Sequence, residues 1–281
     1  MPQASLLPDG RLHLNHGPID LIIQAWGSDK RAAFDQATAR FQTVLSELAN
    51  ELPLLRTATP TQPTGKIARE MAHTIAHHTD TFVTPMAAVA GAVADEVCHA
   101  MCHGLTLDKA YVNNGGDIAI HLTPTHHLTC AINAGSDAGR ITLTADQPAR
   151  GLATSGWHGR SHSFGIADAV TVIARTATAA DVAATLIANA VNLPDHPAIM
   201  RQPANTLNPD SDLGPRRVTT AVGPLTNADI AAALTAGKTL ANDMIHTGKI
   251  TAAALFLRGQ NCYAGDTLAP TGDRHARLQT A

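Results

Sequence analysis

The sequence predicts an α+β domain, and three observations carry that reading. Helical and extended segments come in mixed blocks, not in strict alternation. Four short strand-like segments lie close together between Lys109 and Thr144, too close for helical crossovers, so they pair antiparallel. Several long stretches place apolar residues at helical spacing.

Taken in order, Arg11–His16 and Pro18–Trp26 flank Asn15-His16-Gly17 and read as an N-terminal strand pair. Ser28 then caps a helix to about Asn50, with Phe34, Ala37, Phe41, Val44, Leu45 and Leu48 on one face. Residues Pro53–Thr64 are Thr- and Pro-rich and read as a loop, followed by a helix over Lys66–His78. Thr84 is the expected N-cap of a third helix, with Pro85 at its first position and Gly104 at its end. Strands are expected at Lys109–Asn113, Asp117–His121, Leu128–Asn133 and Arg140–Thr144. Gly151–Gly165 reads as a polar loop, Ala169–Ala174 as a strand and Thr178–Val191 as a helix with Asp181 in its first turn. A loop over Ala204–Arg217, a strand over Arg217–Val222, a helix over Asn227–Thr247 and a last strand over Thr251–Leu257 complete the chain. Residues 1–265 form one expected domain, and 266–281 a polar, mobile tail.

Composition narrows the function. The 281 residues include 20 basic and 23 acidic side chains, so the net charge of −3 carries no electrostatic footprint for nucleic acid or an anionic membrane. Only 3% are aromatic, which leaves little to stack bases upon. No apolar run reaches about 18 residues, and no secretory signal opens the chain. Four cysteines do not make a disulfide framework, so the expectation is a reduced, cytoplasmic protein.

The most informative block is Gly151–Gly165. Its glycines let backbone approach a ligand, Arg160 suits a phosphate or carboxylate, and His162 can move a proton near neutral pH. A flexible loop is the plain alternative, but this loop leads straight into an apolar strand, and sites sit on loops held by rigid scaffolds. Asn113-Asn-Gly-Gly-Asp117 explains itself as a hairpin turn; its second glycine and Asp117 also suit a backbone pressed against a ligand. Asp181 and Thr185 lie four apart, on one helix face, as oxygen ligands for Mg²⁺ do. On local sequence alone, a first-turn Asp favouring the helix dipole explains Asp181 better. Asp95, His99 and His103 form a stripe that suits a metal or, more simply, a solvated face. Two look-alikes are set aside. Ala236-Gly-Lys-Thr239 lacks the first glycine of a P-loop, and Asn208–Gly214 has its glycine one place late for a calcium loop and reads as a capped turn.

Together these blocks resemble the ApbE-like superfamily, which includes the FAD:protein FMN transferases. The resemblance rests on Pro85–Asp95, Asn114-Gly-Gly-Asp117, Ala153-Thr-Ser-Gly156, Val170–Ala174 and Ala180–Thr185, in that order. Ser161–Val170 and Pro209–Gly214 are similar to an uncharacterised branch of it. The resemblance covers about residues 10 to 260. It implies a T-fold-related α+β domain with antiparallel sheet and helices on one side. It also implies that Asp181 and Thr185 hold Mg²⁺, with the carbonyls of Ala184 and Ala90 nearby, and that the Asn-Gly-Gly-Asp and Thr-Ser-Gly turns line a site for FAD or FMN. Two departures separate this chain from the flavin transferases. Ser161–Asp168 replaces their longer His-Ile-Ile-Asp-Pro segment, and their Ala-Lys-Gly helix motif lacks its lysine here, since Ala90 is followed directly by Gly91. Transfer of flavin to protein is therefore not the expected reaction.

The expected function is a metal-assisted enzyme, an ApbE-like transferase or hydrolase acting on an anionic small molecule. Asp181 and Thr185 hold the cation. Thr84, Asn114, Gly115, Gly116, Asp117, Thr154, Ser155, Gly156, Arg160, Ser161 and Ser163 bind the substrate. His162 transfers a proton, with Asp168 its partner or a second carboxylate. Two alternatives stand beside it: a non-catalytic flavin or nucleotide carrier or sensor, and a subunit in sulfur assimilation or another metabolic complex. In the latter, the histidine stripe and Ala-rich helices are partner surfaces. A homo-oligomer is compatible with all three.

Overall fold

The computed structural model describes residues 1–60, 62–78, 80–132 and 139–265. The expected tail, and Asn133 of the expected third strand of the central block, lie outside these residues. The described chain is α+β. Nine strands form one antiparallel sheet in the order β1-β2-β3-β4-β5-β8-β9-β12-β13. They are β1 (Gln3–Leu6), β2 (Leu12–His16), β3 (Ile19–Trp26), β4 (Lys109–Asn114), β5 (Asp117–Leu122), β8 (Gly151–Ser155), β9 (Ala169–Ala174), β12 (Ala252–Leu257) and β13 (Gln260–Ala264). Two ribbons stand apart: β6 (His127–Ile132) with β7 (Gly139–Thr144), and β10 (Ile199–Pro203) with β11 (Arg217–Val222).

The helices are α1 (Lys30–Asn50), α2 (Leu52–Leu55), α3 (Lys66–Ile75), α4 (Val89–Cys102), α5 (Ala177–Ala190), α6 (Ala204–Leu207) and α7 (Asn227–His246). α1, α4, α5 and α7 pack on one face of the sheet, because each buries an apolar stripe that the sheet's alternating residues meet. On the other face, Leu128, Cys130, Ile141 and Leu143 of the β6–β7 ribbon cover Ile120, Leu152, Ile173 and Phe256. β9 is buried along its whole length, since both faces are covered there.

Several expectations change. Ser28 does not cap α1. Asp29 occupies that position without a side-chain cap bond, and its Oδ2 accepts Thr106 N at 2.7 Å instead. The Pro53–Thr64 loop begins inside α2, where Pro53 fits because first-turn amides need no partner. After Thr84 comes a 3-10 helical turn at Pro85–Ala88 before α4 begins, and the Thr84 hydroxyl donates to Asp212 rather than capping. The first five residues of the Gly151–Gly165 loop are β8, a central strand too short, and too buried along its first three residues, to show alternation. The edge strands β1 and β13 and the ribbon strand β10 carry no clear period-two pattern, and their pairing partners define them.

α4 and α5 cross in close contact. A β carbon at Gly91 would lie 2.3 Å from Ala177 O, so only glycine fits there. The closeness lets each helix cap the other. Asp95 of α4 accepts from Ala177 N (3.0 Å), Thr178 N (2.8 Å) and Thr178 Oγ1 (2.6 Å) at the start of α5. Asp181 of α5 accepts from Gly91 N at 3.0 Å in the first turn of α4. These bonds satisfy amides that helix starts leave without intrahelical partners. Asp95→Ala is expected to cost about 2 kcal/mol in urea unfolding. Asp95→Asn, whose one oxygen still accepts the Thr178 donors while its nitrogen faces Ala177 N, should cost less than Asp95→Ala; equal losses would show that the retained bonds contribute nothing.

Candidate functional site

The site is a cleft of about 710 Å³ where the start of α4, the second turn of α5, the β4–β5 turn and the segment after β8 converge. Asp181 and Thr185 project into it one turn apart. Asp181 lies one residue deeper in α5 than the sequence suggests, past the first turn, because the helix starts at Ala177 with Thr176 as its cap. The helix-dipole reading of Asp181 thus fails for its own helix; the carboxylate caps α4. Ala90 lines the cleft and its carbonyl accepts Asn114 Nδ2 at 3.1 Å. Ala184 is buried and lies outside the lining.

The β4–β5 turn forms one wall. Gly115 and Gly116 take φ of +66° and +114°, so both glycines are needed to make the turn. The Gly116 amide is committed to Asn113 Oδ1 at 2.8 Å, and Gly116 does not line the cleft; Asn114, Gly115 and Asp117 do. Asp117 is buried and accepts Thr154 N at 3.3 Å. Burial pushes its carboxyl up to about 7, against the opposing pull of the Thr154 amide and the Arg160 charge. Burial first, and then the charge of Asp117, hold the Asp181 carboxyl well above the usual range.

The glycine-rich segment forms the opposite wall. Thr154, Ser155, Gly156, Arg160, Ser161, His162 and Asp168 all line the cleft. Arg160 reaches back over the turn: Nη1 donates to Pro18 O at 3.4 Å, and a β carbon on Gly115 would lie 2.5 Å from Nη2. Ser163 is buried and faces away, donating to Asn189 Oδ1 at 2.9 Å and accepting Gly165 N at 3.1 Å. It shapes the loop and does not bind in the cleft. Asp168 receives Arg258 N on Oδ2 at 2.6 Å, while Oδ1 faces Trp157 Nε1 and His158 Nε2, each at 3.4 Å.

Sequence reasoning missed a third side. Asn208, Asp210, Ser211, Asp212 and Leu213 line the cleft from the segment after α6, with Arg56, Phe82, Phe164 and Asn189 beside them. The available signal was the Pro209–Gly214 run, which is a capped turn as expected and also a cleft wall. Phe82 meets Phe164 edge-on at 6.3 Å and carries the Arg216 guanidinium 3.4 Å above its ring. The cleft thus gathers five carboxylates (Asp117, Asp168, Asp181, Asp210, Asp212) against two guanidiniums (Arg56, Arg160).

The Asp95 stripe is not a metal centre. Asp95 is turned to the start of α5, and His99 and His103 are exposed. Among the described residues, no group of three or more His, Cys, Asp or Glu is placed to hold a metal ion. Of the Ala-rich helices, α5 buries Ala177, Ala180, Ala183, Ala184 and Ala188 in the core, while α7 exposes Ala231, Ala232 and Ala236.

The raised carboxyls give the fold a pH dependence of definite sign. Asp117 binds its proton more tightly in the fold than at its ordinary value of 3.8, so its contribution is complete below about pH 4 and is lost as pH rises through about 7. The melting temperature of metal-free protein should therefore fall across that window, and Asp117→Asn should flatten the fall. Parallel pH profiles for the two proteins would refute it.

A family model described as "AbpE bacteria" matches residues 4–263, from β1 to β13. A UPF0280 protein of Methanothrix thermoacetophila is 34% identical over 168 residues, covering 58% of this chain and 68% of that protein. One of Methanopyrus kandleri is 30% identical over 187 residues, covering 65% and 75%. One of Methanothermobacter thermautotrophicus is 42% identical over 117 residues, covering 40% and 44%. The ApbE protein of Thermotoga maritima aligns over 95% of this chain and 96% of its own at 11% identity, with a TM-score of 0.43, too low to carry an argument. On the near-complete match to the family model, the chain belongs to the bacterial AbpE family, within the ApbE-like superfamily.

Proposed function

We propose that this protein is an enzyme that uses a divalent cation, Mg²⁺, to act on an anionic small molecule, with a flavin nucleotide such as FAD as the substrate class its superfamily suggests. The observation that carries the reading is the excess of carboxylates over guanidiniums in the cleft. An anion entering such a site meets net negative charge unless a cation accompanies it. The donor set fits a hard cation. Asp181 presents a carboxyl whose charged form burial and the Asp117 charge disfavour, so that a cation beside it would favour ionisation, and Thr185 presents a hydroxyl one turn away. Fewer than three acidic ligands suffice, because Mg²⁺ completes its shell with waters and substrate phosphates.

When bound, the cation would neutralise charge on phosphate oxygens. Arg160 and Arg56 line the same cleft and would pair with the same group, and Ser155 and Gly156 line the wall where backbone donors are needed. The volume suits a nucleotide-sized ligand, since small-molecule clefts span roughly 300–1,000 Å³. Flavin transfer to protein is not part of the proposal. The Ala-Lys-Gly helix motif of the transferases lacks its lysine here, since Ala90 is followed directly by Gly91.

Asp181→Asn tests the reading, because it keeps an oxygen for the Gly91 amide while removing the charge. Mg²⁺-dependent retention of FAD in native mass spectrometry should fall at least about tenfold, with the melting temperature little changed. Release of FMN and AMP by the unaltered protein distinguishes an enzyme from a carrier. Equal Mg²⁺-dependent retention by Asp181→Asn would sink the proposal.

A further inference from the structure

His162 has no hydrogen-bond partner among the described residues, whereas His158 has a carboxylate holding its ring. We propose that His158, oriented by Asp168, is the proton-transfer group of the cleft. This rests on the reading above.

The holder is rigid. Asp168 immediately precedes buried β9, and its amide donates to Phe256 O of β12 at 3.0 Å. Its Oδ2 accepts Arg258 N at 2.6 Å, in the β12–β13 turn, where Arg258 takes φ of +50°. Its Oδ1 faces the cleft side. His158 sits in a tight turn closed by Gly159 N donating to Gly156 O at 3.1 Å. That turn presses on Asp168, since a β carbon at Gly156 would lie 2.4 Å from Asp168 O. Within the turn, Trp157 N donates to Ala167 O at 3.0 Å, and the Trp157 ring lies 3.8 Å from the His158 ring. The imidazole therefore has a backing surface and a carboxylate 3.4 Å from Nε2, a separation that tightens when substrate closes a site.

A carboxylate on one ring nitrogen keeps the proton there and leaves the other nitrogen as the acceptor. Nε2 is the ring nitrogen nearest Asp168, so the proton is placed there and Nδ1 is assigned to the reacting group. For a phosphoric anhydride, Nδ1 takes a proton from water as its oxygen bonds to phosphorus. The bridging P–O bond breaks with its electron pair going to the departing phosphate, and the imidazolium then returns its proton to solvent. His158 is the catalytic residue of this step. Asp168 is a positioning residue, because it acts only through the ring.

The test uses the full chain with Mg²⁺ and FAD. His158→Gln should lower kcat about 100-fold or more, with KM moved less than about threefold. Asp168→Asn, which retains an acceptor for Arg258 N, should lower kcat about tenfold or more and change the pH–rate profile. His162→Gln should lower kcat clearly less than His158→Gln does. Full activity in His158→Gln, or a large loss confined to His162→Gln, would overturn the assignment. Nitrogen-15 NMR of the histidine rings provides a readout without substrate. The neutral His158 ring should be the Nε2–H tautomer and should become mixed in Asp168→Asn. An Nδ1–H ring, or ring spectra unmoved by that substitution, overturns the dyad. If the unaltered protein does not turn over FAD, the flavin reading fails and the ring spectra alone decide the dyad.

Discussion

The reciprocal capping of α4 and α5 is the constraint on which the site depends. Two helices meet so closely that Gly91 has no room for a β carbon, and each supplies a carboxylate to the other's first turn. The close approach follows from composition: both helices are rich in alanine, and small side chains let axes come together. Asp95 closes the arrangement on the side away from the cleft. Asp181 closes it on the cleft floor, where the same carboxylate that holds a helix start also faces the ligand space. Structure and chemistry thus share one residue.

That sharing explains the electrostatics. Asp181 and Asp117 come from different elements, α5 and the start of β5, and the packing brings their charges within mutual influence. Each is partly offset by backbone amides, of Gly91 and Thr154, yet burial keeps both carboxyls high. A fold optimised for stability alone would place a cation there or remove one acid. A pair left in this condition is the kind of strained electrostatics that functional sites carry.

The elements show why some of the chain is legible and some is not. α1 and α7 announce themselves, because a long surface helix repeats its apolar stripe over five turns. β8 does not: a five-residue central strand covered on both faces has no alternation to read, and its glycine suggests a loop. Thr84 satisfies every local rule for a cap, yet a residue 128 positions away claims its hydroxyl. Ser163 reads as one more polar side chain in a binding loop; Asn189, from the far end of α5, turns it inward. Asp210 and Asp212 sit in a calcium-loop look-alike, and nothing local says that their turn faces the cleft.

The sequence by itself determined the α+β class, the antiparallel central strands, the family and part of the cleft's lining, including Asp117, Arg160, Asp181 and Thr185. These are carried by periodicity and by short motifs, which are local in the chain. Only the tertiary structure decided which of two neighbouring histidines has a carboxylate behind it, and which acidic residues share a cavity. It also decided that Asp181 belongs electrostatically to α4. Those outcomes depend on contacts between residues tens of positions apart, and the distances that set charge coupling and hydrogen bonding exist only once the helices have docked on the sheet.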